Sequence, residues 1–212
     1  KADMQVLVQE RTHPSFEKTL TLSVIIPCYN EVSTIQPVLK RVMAVGLADE
    51  IIIVDDGSTD GTREVLKQIE AENHARVRVL YHTHNQGKGA AVITGFAAAT
   101  GDVFLIQDAD FEYDPREYPI LLRPIEEGIS KVVYGSRFLG GPRKAMNFWN
   151  MVANRSLTLA TNILYNAILS DMETCYKVFR AEVVRGMLIR AKRFEFEPEI
   201  TAKVLKQGIR IY

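Results

Sequence analysis

No uninterrupted apolar run in this chain of 212 residues approaches the ~18 residues that cross a bilayer as a helix, so the sequence offers no membrane span. Cysteine is nearly absent. Its two residues, Cys28 and Cys175, cannot build a disulfide framework, and both are read as reduced thiols in a cytoplasmic setting. Neither sign of charge is in excess. The 26 basic residues balance 26 acidic ones, which removes any general pull toward nucleic acid, and no nucleic-acid partner is expected. The opening KADMQVLVQERTHPSFEK lacks the basic-then-apolar order of a signal peptide, and residues 1–19 are expected to form an N-terminal arm. Internal repeats, low-complexity tracts and a clear linker are also missing, so residues 20–212 are expected to form a single domain. GIRIY at 208–212 reads as a strand just beginning, and the chain is expected to be truncated on its C-terminal side.

What is present alternates in period. LTLSVIIP (20–27), EIIIVDD (50–56), VRVLY (77–81), DVFLIQD (102–108) and KVVYGSR (131–137) read as strands. Helical patterns separate them, the first with apolar Ile35, Val38, Leu39 and Val42 at helical spacing and Asn30 as its expected cap. Asp114 and Pro115 open another. The order β-α-β-α-β-α-β-α-β predicts an α/β fold with an open, mostly parallel sheet, whose ligands sit beyond the carboxyl ends of the strands. A Gly/Pro/basic loop follows at 138–147, then a long helix at 148–169. Its stripe of Leu157, Ala160, Ile163, Leu164, Ala167 and Ile168 is expected to face the core. The other reading is a helix lying on a membrane surface, with Arg143, Lys144 and Arg155 near it. Two more helical stretches are expected around 181–190 and 197–207.

Three strand ends carry chemistry. DDGSTDGT (55–62) places adjacent Asp residues where one can face a ligand while the other caps a turn. NQGKGAAV (85–92) misses the phosphate-loop spacing, and as GxGxxV it misses the third glycine of a dinucleotide fingerprint. It still supplies a flexible turn, a helix N-terminus able to receive an anion, and Lys88 beside it. FLIQDADFEYDP (104–115) runs from an apolar strand into Asp108, Asp110, Glu112 and Asp114, one carboxylate at every second position. The first three project to one side of an extended segment and repel one another unless a cation neutralises them. A hard divalent ion with oxygen ligands does so, and Mg²⁺ or Mn²⁺ is the expected cofactor. Zinc finds no Cys/His cluster here, and His82 and His84 read as structural. Asp114 reads as a helix cap, and Glu195, Glu197 and Glu199 of FEFEPE as the first turn of a helix or as groups shaping an acceptor site.

Taken in order, VIIPCYNE, EIIIVDDGSTDGT, NQGKGAAVITGF, DAD and YGSR resemble the inverting family 2 glycosyltransferases of the GT-A fold over roughly residues 20–210. GSR, RKAMNFWN…NRS and SDMETCYKVFR resemble the dolichyl-phosphate mannose synthases and polyprenyl-phosphate glucosyltransferases within that family. The resemblance implies a nucleotide-binding half at about 20–112 and an acceptor half at about 113–212. It implies that Pro27, Tyr29 and Glu31 line the nucleotide, that Asp56 bonds the base, and that Asp108, Asp110 and Glu112 hold the metal and diphosphate. Ser136, Arg137 and Arg143 would meet the acceptor phosphate, and Lys88 would frame the donor. The implied partners are a UDP- or GDP-hexose, a polyprenyl phosphate and, behind it, the cytoplasmic face of a membrane. An acidic ED motif that serves relatives with hydroxyl acceptors is replaced by SDMETC, which favours a phosphate acceptor. Two other readings stay open: transfer to a hydroxyl with Asp171 or Glu173 as base, and a nucleotide-sugar-binding domain without turnover.

Overall fold

The computed structural model describes residues 20–138, 148–193 and 195–212. The expected arm at 1–19 and Arg143 lie outside these.

β1 (Leu22–Cys28) is buried along its whole length. It pairs in parallel with β2 (Glu50–Asp55) on one side and with β4 (Val103–Ile106) on the other. β3 (Val77–Tyr81) adds in parallel to β2 and is half exposed, as an edge strand is. The continuous apolar runs follow from burial on both faces. Val24 and Ile26 point into a layer with α1 (Ile35–Val45), α2 (Thr62–Ala71) and α4 (Tyr118–Glu126), while Ile25 between them points into a layer with α3 (Lys88–Ala98) and α7 (Phe196–Lys206). α3 lies very close on β1. A Cβ on Gly95 would stand 2.3 Å from Ile25 Cγ2.

The far side of the sheet differs from the expected succession of parallel strands. The full order is β3-β2-β1-β4-β6-β5, where β5 is Val132–Tyr134 and β6 is Lys177–Arg180. β6 runs antiparallel to both neighbours and inserts between β4 and β5. The sequence pattern alone predicts no strand at 177–180, because four residues opened by a lysine carry too little apolar pattern to declare one. The sheet remains mostly parallel, and its switch point lies between β1 and β4, where the DAD segment leaves the sheet.

Two local expectations are corrected. Asn30 does not cap α1. It sits in the left-handed region (φ 56°), which Asn tolerates better than most residues, and the helix starts five residues later with Ile35, Val38, Leu39 and Val42 buried as expected. The larger correction concerns α5 (Phe148–Tyr165), whose apolar stripe does not face the core. Leu157, Ile163 and Leu164 are exposed, as are Trp149 and Leu159, while the buried side of the helix is polar, with Asn154, Thr158 and Thr161. The reason is local. Thr158 Oγ1 accepts the Met172 amide, Asn154 Nδ2 donates to Asp171, and Asn162 takes both backbone groups of Leu169. Hydrogen bonds to the 169–172 loop replace apolar burial as what fixes the helix.

Candidate active site

Three loops meet at the carboxyl ends of β1, β2 and β4. The loop after β1 is laced to the loop after β2. Asn30 N donates to Ser58 Oγ at 3.0 Å, Thr59 N donates to Asn30 Oδ1 at 2.8 Å, and Glu31 N donates to Thr62 Oγ1 at 2.8 Å. Pro27 ends inside the sheet, Tyr29 is exposed, and Glu31 is half-buried with its carboxylate accepting from Thr34. Both adjacent Asp residues turn inward. Asp55 pairs with Arg63 at 2.7 Å. Asp56 is 2% exposed and accepts from His82 Nδ1 at 2.7 Å, Gln86 N at 2.9 Å and Gly87 N at 2.8 Å. Its oxygens are thus engaged by the turn that precedes α3. Asp56 thereby braces that turn.

The braced turn delivers Lys88. Gly87 has φ 101°, and a Cβ there would stand 2.3 Å from the Lys192 carbonyl, so the turn closes only with glycine. Lys88 Nζ then reaches Asp108 Oδ1 at 2.5 Å and Cys175 Sγ at 2.7 Å. Burial works against the Lys88 charge, but Asp108 beside it prevails and holds its pKa well above the ordinary value. Burial likewise disfavours the Asp108 anion, yet Lys88 outweighs it and the carboxyl stays below its usual range.

Beyond β4 the chain is pinned by a residue that carries no sequence motif. Gln107 is fully buried. Its amide donates to the carbonyls of Asp108 and Tyr113, and its Oε1 accepts from Tyr118 and Tyr176 hydroxyls. Only its place between an apolar strand and the acids marks it in the sequence. So held, Asp108, Asp110 and Glu112 converge, each with a carboxylate oxygen within 4.8 Å of the others. Among the described residues this is the one group of three such ligands. Three close carboxylates with no soft ligand fit a hard divalent ion. Asp114 is separate, as expected. It caps the Pro115–Glu117 turn by accepting from Arg116 N at 3.0 Å.

Beside the triad Arg137 is clamped. Its Nε and Nη2 donate to the two oxygens of Asp171 at 2.8 and 2.9 Å, its backbone N donates to Asp171 at 3.1 Å, and its Nη1 reaches Glu112 Oε1 at 3.5 Å. Asn154 Nδ2 adds a fourth bond to Asp171 at 2.8 Å. Burial raises the Asp171 pKa, but the Arg137 and Asn154 bonds overcome it and leave the carboxyl below its ordinary value. Ser136 lies next in the chain and accepts from Phe138 N. Glu173 is the opposite case. Burial first, and Glu197 second, push its pKa up, and its Oε1 is buried with no hydrogen-bond partner. Lys177, fully buried on β6, is a further functional support without a sequence signal. It pairs with Glu197 and donates to the carbonyls of Met172 and Thr174, so it holds the loop that carries Asp171 and Glu173. Glu197 and Glu199 stand in the first turn of α7, as expected for FEFEPE, though Glu197 points inward.

Comparison with known proteins places this geometry. The chain is 33% identical over 189 residues to a dolichol-phosphate mannosyltransferase of Pyrococcus furiosus, covering 87% of this chain and 53% of that protein. It is 30% identical over 181 residues to an undecaprenyl-phosphate 4-deoxy-4-formamido-L-arabinose transferase of Pseudomonas aeruginosa, covering 84% of this chain and 52% of that protein. The chain thus spans about half the length of these curated relatives. In structure it is similar to glucosyl-3-phosphoglycerate synthase of Mycobacterium tuberculosis, with a TM-score of 0.69, 24% identity and coverage of 91% of this chain and 70% of that one. The same enzyme has been solved with Mn²⁺, UDP and phosphoglyceric acid, at a TM-score of 0.68 and 23% identity. These likenesses establish the GT-A fold. Residues 23–188 match the family described as glycosyl transferase family 2, and the chain belongs to that family.

Proposed function

We propose that this chain is the catalytic domain of an inverting hexosyltransferase that moves a sugar from a nucleoside diphosphate to a polyprenyl phosphate at the cytoplasmic face of a membrane. The observation that carries the reading is the convergence of Asp108, Asp110 and Glu112 at the switch point, with Arg137 held beside them. A bound Mg²⁺ or Mn²⁺ would act there as a Lewis acid for the departing diphosphate. This chain's own residues do the rest. Pro27, Tyr29 and Glu31 border the nucleotide, Lys88 stands on the donor side, and Arg137 with Ser136 orients the anionic acceptor. A phosphate nucleophile is already ionised near neutral pH, so it needs placement more than it needs a base. The state of Asp171 supports this. A carboxylate that accepts four hydrogen bonds, with its pKa depressed, is poorly suited to take a proton. A single in-line displacement inverts the anomeric centre.

The membrane part of the proposal rests on α5. Its outward face presents Trp149, Leu159, Ile163 and Leu164 to solvent, with exposed Arg155 one turn before Leu159. Among the described residues no helix is long and apolar enough to cross a membrane, so the fitting geometry is a helix lying in the interface. Cys28 and Cys175 are free thiols, in keeping with a reducing compartment. A second reading has one observation in its favour. The raised pKa of Glu173 is what a base for a hydroxyl acceptor requires. Calorimetry with UDP and GDP, each with and without Mn²⁺, followed by transfer assays with a short polyprenyl phosphate and its dephosphorylated alcohol, tests both. Metal-dependent binding of one nucleotide and transfer to the phosphate alone are expected. Transfer to the alcohol, lost in Glu173→Gln, would select the second reading, and metal-independent binding of both nucleotides would remove the metal assignment.

A further inference from the structure

The acidic triad already has two cationic partners, one at each end. Lys88 Nζ lies on Asp108 at 2.5 Å, and Arg137 Nη1 reaches Glu112 at 3.5 Å. Asp110 stands between them and accepts the Glu112 amide at 2.8 Å. The two cations are mounted differently from the carboxylates they meet. Lys88 stands on a turn whose backbone is fixed through the Asp56 bonds to Gln86 N and Gly87 N, so only its side chain is able to swing. Arg137 is anchored by Nε and Nη2 on Asp171, so only its Nη1 edge is able to change partner. An ion carrying two charges that enters among the three carboxylates meets both of these edges and repels them.

We propose that metal binding exchanges cations. The divalent ion takes over Asp108 and Glu112, and the displaced Lys88 ammonium and Arg137 Nη1 edge pass to the donor diphosphate and the acceptor phosphate respectively. The inference rests on the glycosyltransferase reading above and adds the order of events to it. The metal does more than screen the leaving group: its arrival frees the two side chains that the anionic reactants need. Lys88 and the metal therefore compete for Asp108 while no nucleotide is bound and cooperate once a diphosphate is present. Such coupling must be reciprocal, so the nucleotide strengthens metal binding by the factor by which metal strengthens nucleotide binding.

Lys88→Met and Lys88→Gln test this, with Mn²⁺ titrated calorimetrically without nucleotide and UDP and GDP titrated with and without Mn²⁺. Both variants are expected to bind Mn²⁺ alone at least about tenfold more tightly than wild type, because a unit positive charge about 5 Å from a divalent ion opposes it by that much even in water. Both are expected to lose most of the mutual enhancement between Mn²⁺ and nucleotide. Unchanged or weaker Mn²⁺ binding by folded variants would overturn the exchange while leaving the glycosyltransferase reading in place. A wild type with no Mn²⁺-dependent nucleotide binding would overturn both. Lys88→Gln keeps a hydrogen bond toward Asp108 where Lys88→Met does not. A measurement on wild type needs no variant at all: reductive methylation of Lys88, followed by mass spectrometry, is expected to be slow without metal and faster with Mn²⁺ alone. A rate that Mn²⁺ leaves unchanged would count against the exchange.

Discussion

Asp171→Asn separates positioning from base catalysis more sharply than any other single change in this domain. The Asp171 side chain is fully buried and meets Arg137 through two side-chain bonds and one backbone bond, with Asn154 as a further donor. Asn keeps the shape. It removes the charge and turns one acceptor into a donor that faces Arg137 or Asn154. Breaking a buried ion pair by neutralising one partner costs about 3–5 kcal/mol. Arg137 retains 17% side-chain exposure and its contact with Glu112, so the lower part of that range applies, about 3 kcal/mol. For a domain of this size that corresponds to a fall in Tm of roughly 6–12 °C.

The pH dependence has a defined sign. The folded-state pKa of Asp171 lies below its ordinary value, so its stabilisation is complete above the unfolded-chain pKa of about 3.9 and drains as pH falls through the folded value. Thermal unfolding of wild type and Asp171→Asn from pH 3 to 8 is therefore expected to show a constant gap above about pH 5 that narrows below about pH 4. In steady state the variant is expected to raise the acceptor KM strongly, through a mobile Arg137, and to leave the shape of the pH–rate profile between 5 and 9 unchanged. The opposite pattern would refute this reasoning: wild-type Tm and acceptor KM with a kcat about a thousandfold lower, in the range of a lost general base.

Other perturbations probe the remaining supports. Gln107→Leu leaves the Tyr118 hydroxyl without its buried acceptor, while Tyr176 keeps its 2.8 Å bond to the Asp114 carbonyl, and chemical denaturation is expected to show a loss of about 1–3 kcal/mol together with weaker Mn²⁺ binding. A loss below about 0.5 kcal/mol would mean the Tyr118 hydroxyl finds another partner. Gly95→Ala drives a methyl into Ile25 and is expected to cost about 1–3 kcal/mol by the same assay, although alanine is the better helix former. Leu159→Glu with Ile163→Glu is expected to leave Tm within about 1 °C, because both residues are largely exposed, and to abolish co-sedimentation with anionic vesicles. A large drop in Tm would return that face to the core. Asp114→Ala removes a cap whose carboxyl is lowered to about 2, chiefly by the hydrogen bond from Arg116. As a half-exposed group it is expected to cost about 1 kcal/mol at neutral pH and less below about pH 4, where the unfolded chain begins to take up a proton that the folded carboxyl does not yet accept.

How far the sequence could be read depended on how each part is held. The parallel half was legible because Ile25, Ile52 and Phe104 face one layer while Val24, Ile51 and Leu105 face the other, and strands buried on both faces announce themselves as apolar runs. The convergence of the acidic triad was legible because alternate carboxylates in an extended segment crowd onto one side. The half of the domain after β4 was legible only in part, because polar contacts hold it. Lys177 opens a strand yet is fully buried, since Glu197 and two carbonyls receive its ammonium. α5 inverts the usual rule for the same reason. Its stripe of Leu157, Ile163 and Leu164 has the period of a core-facing helix, and nothing in a period says which face is in. Asn154, Thr158 and Asn162 decide it, through bonds to a loop some 7 to 17 residues away. That ladder also runs from Asn154 through Asp171 to Arg137, so the face of α5 turned to the loop helps orient the Arg137 guanidinium while its apolar face is turned out. The placement of Arg137 thus depends on the orientation of α5.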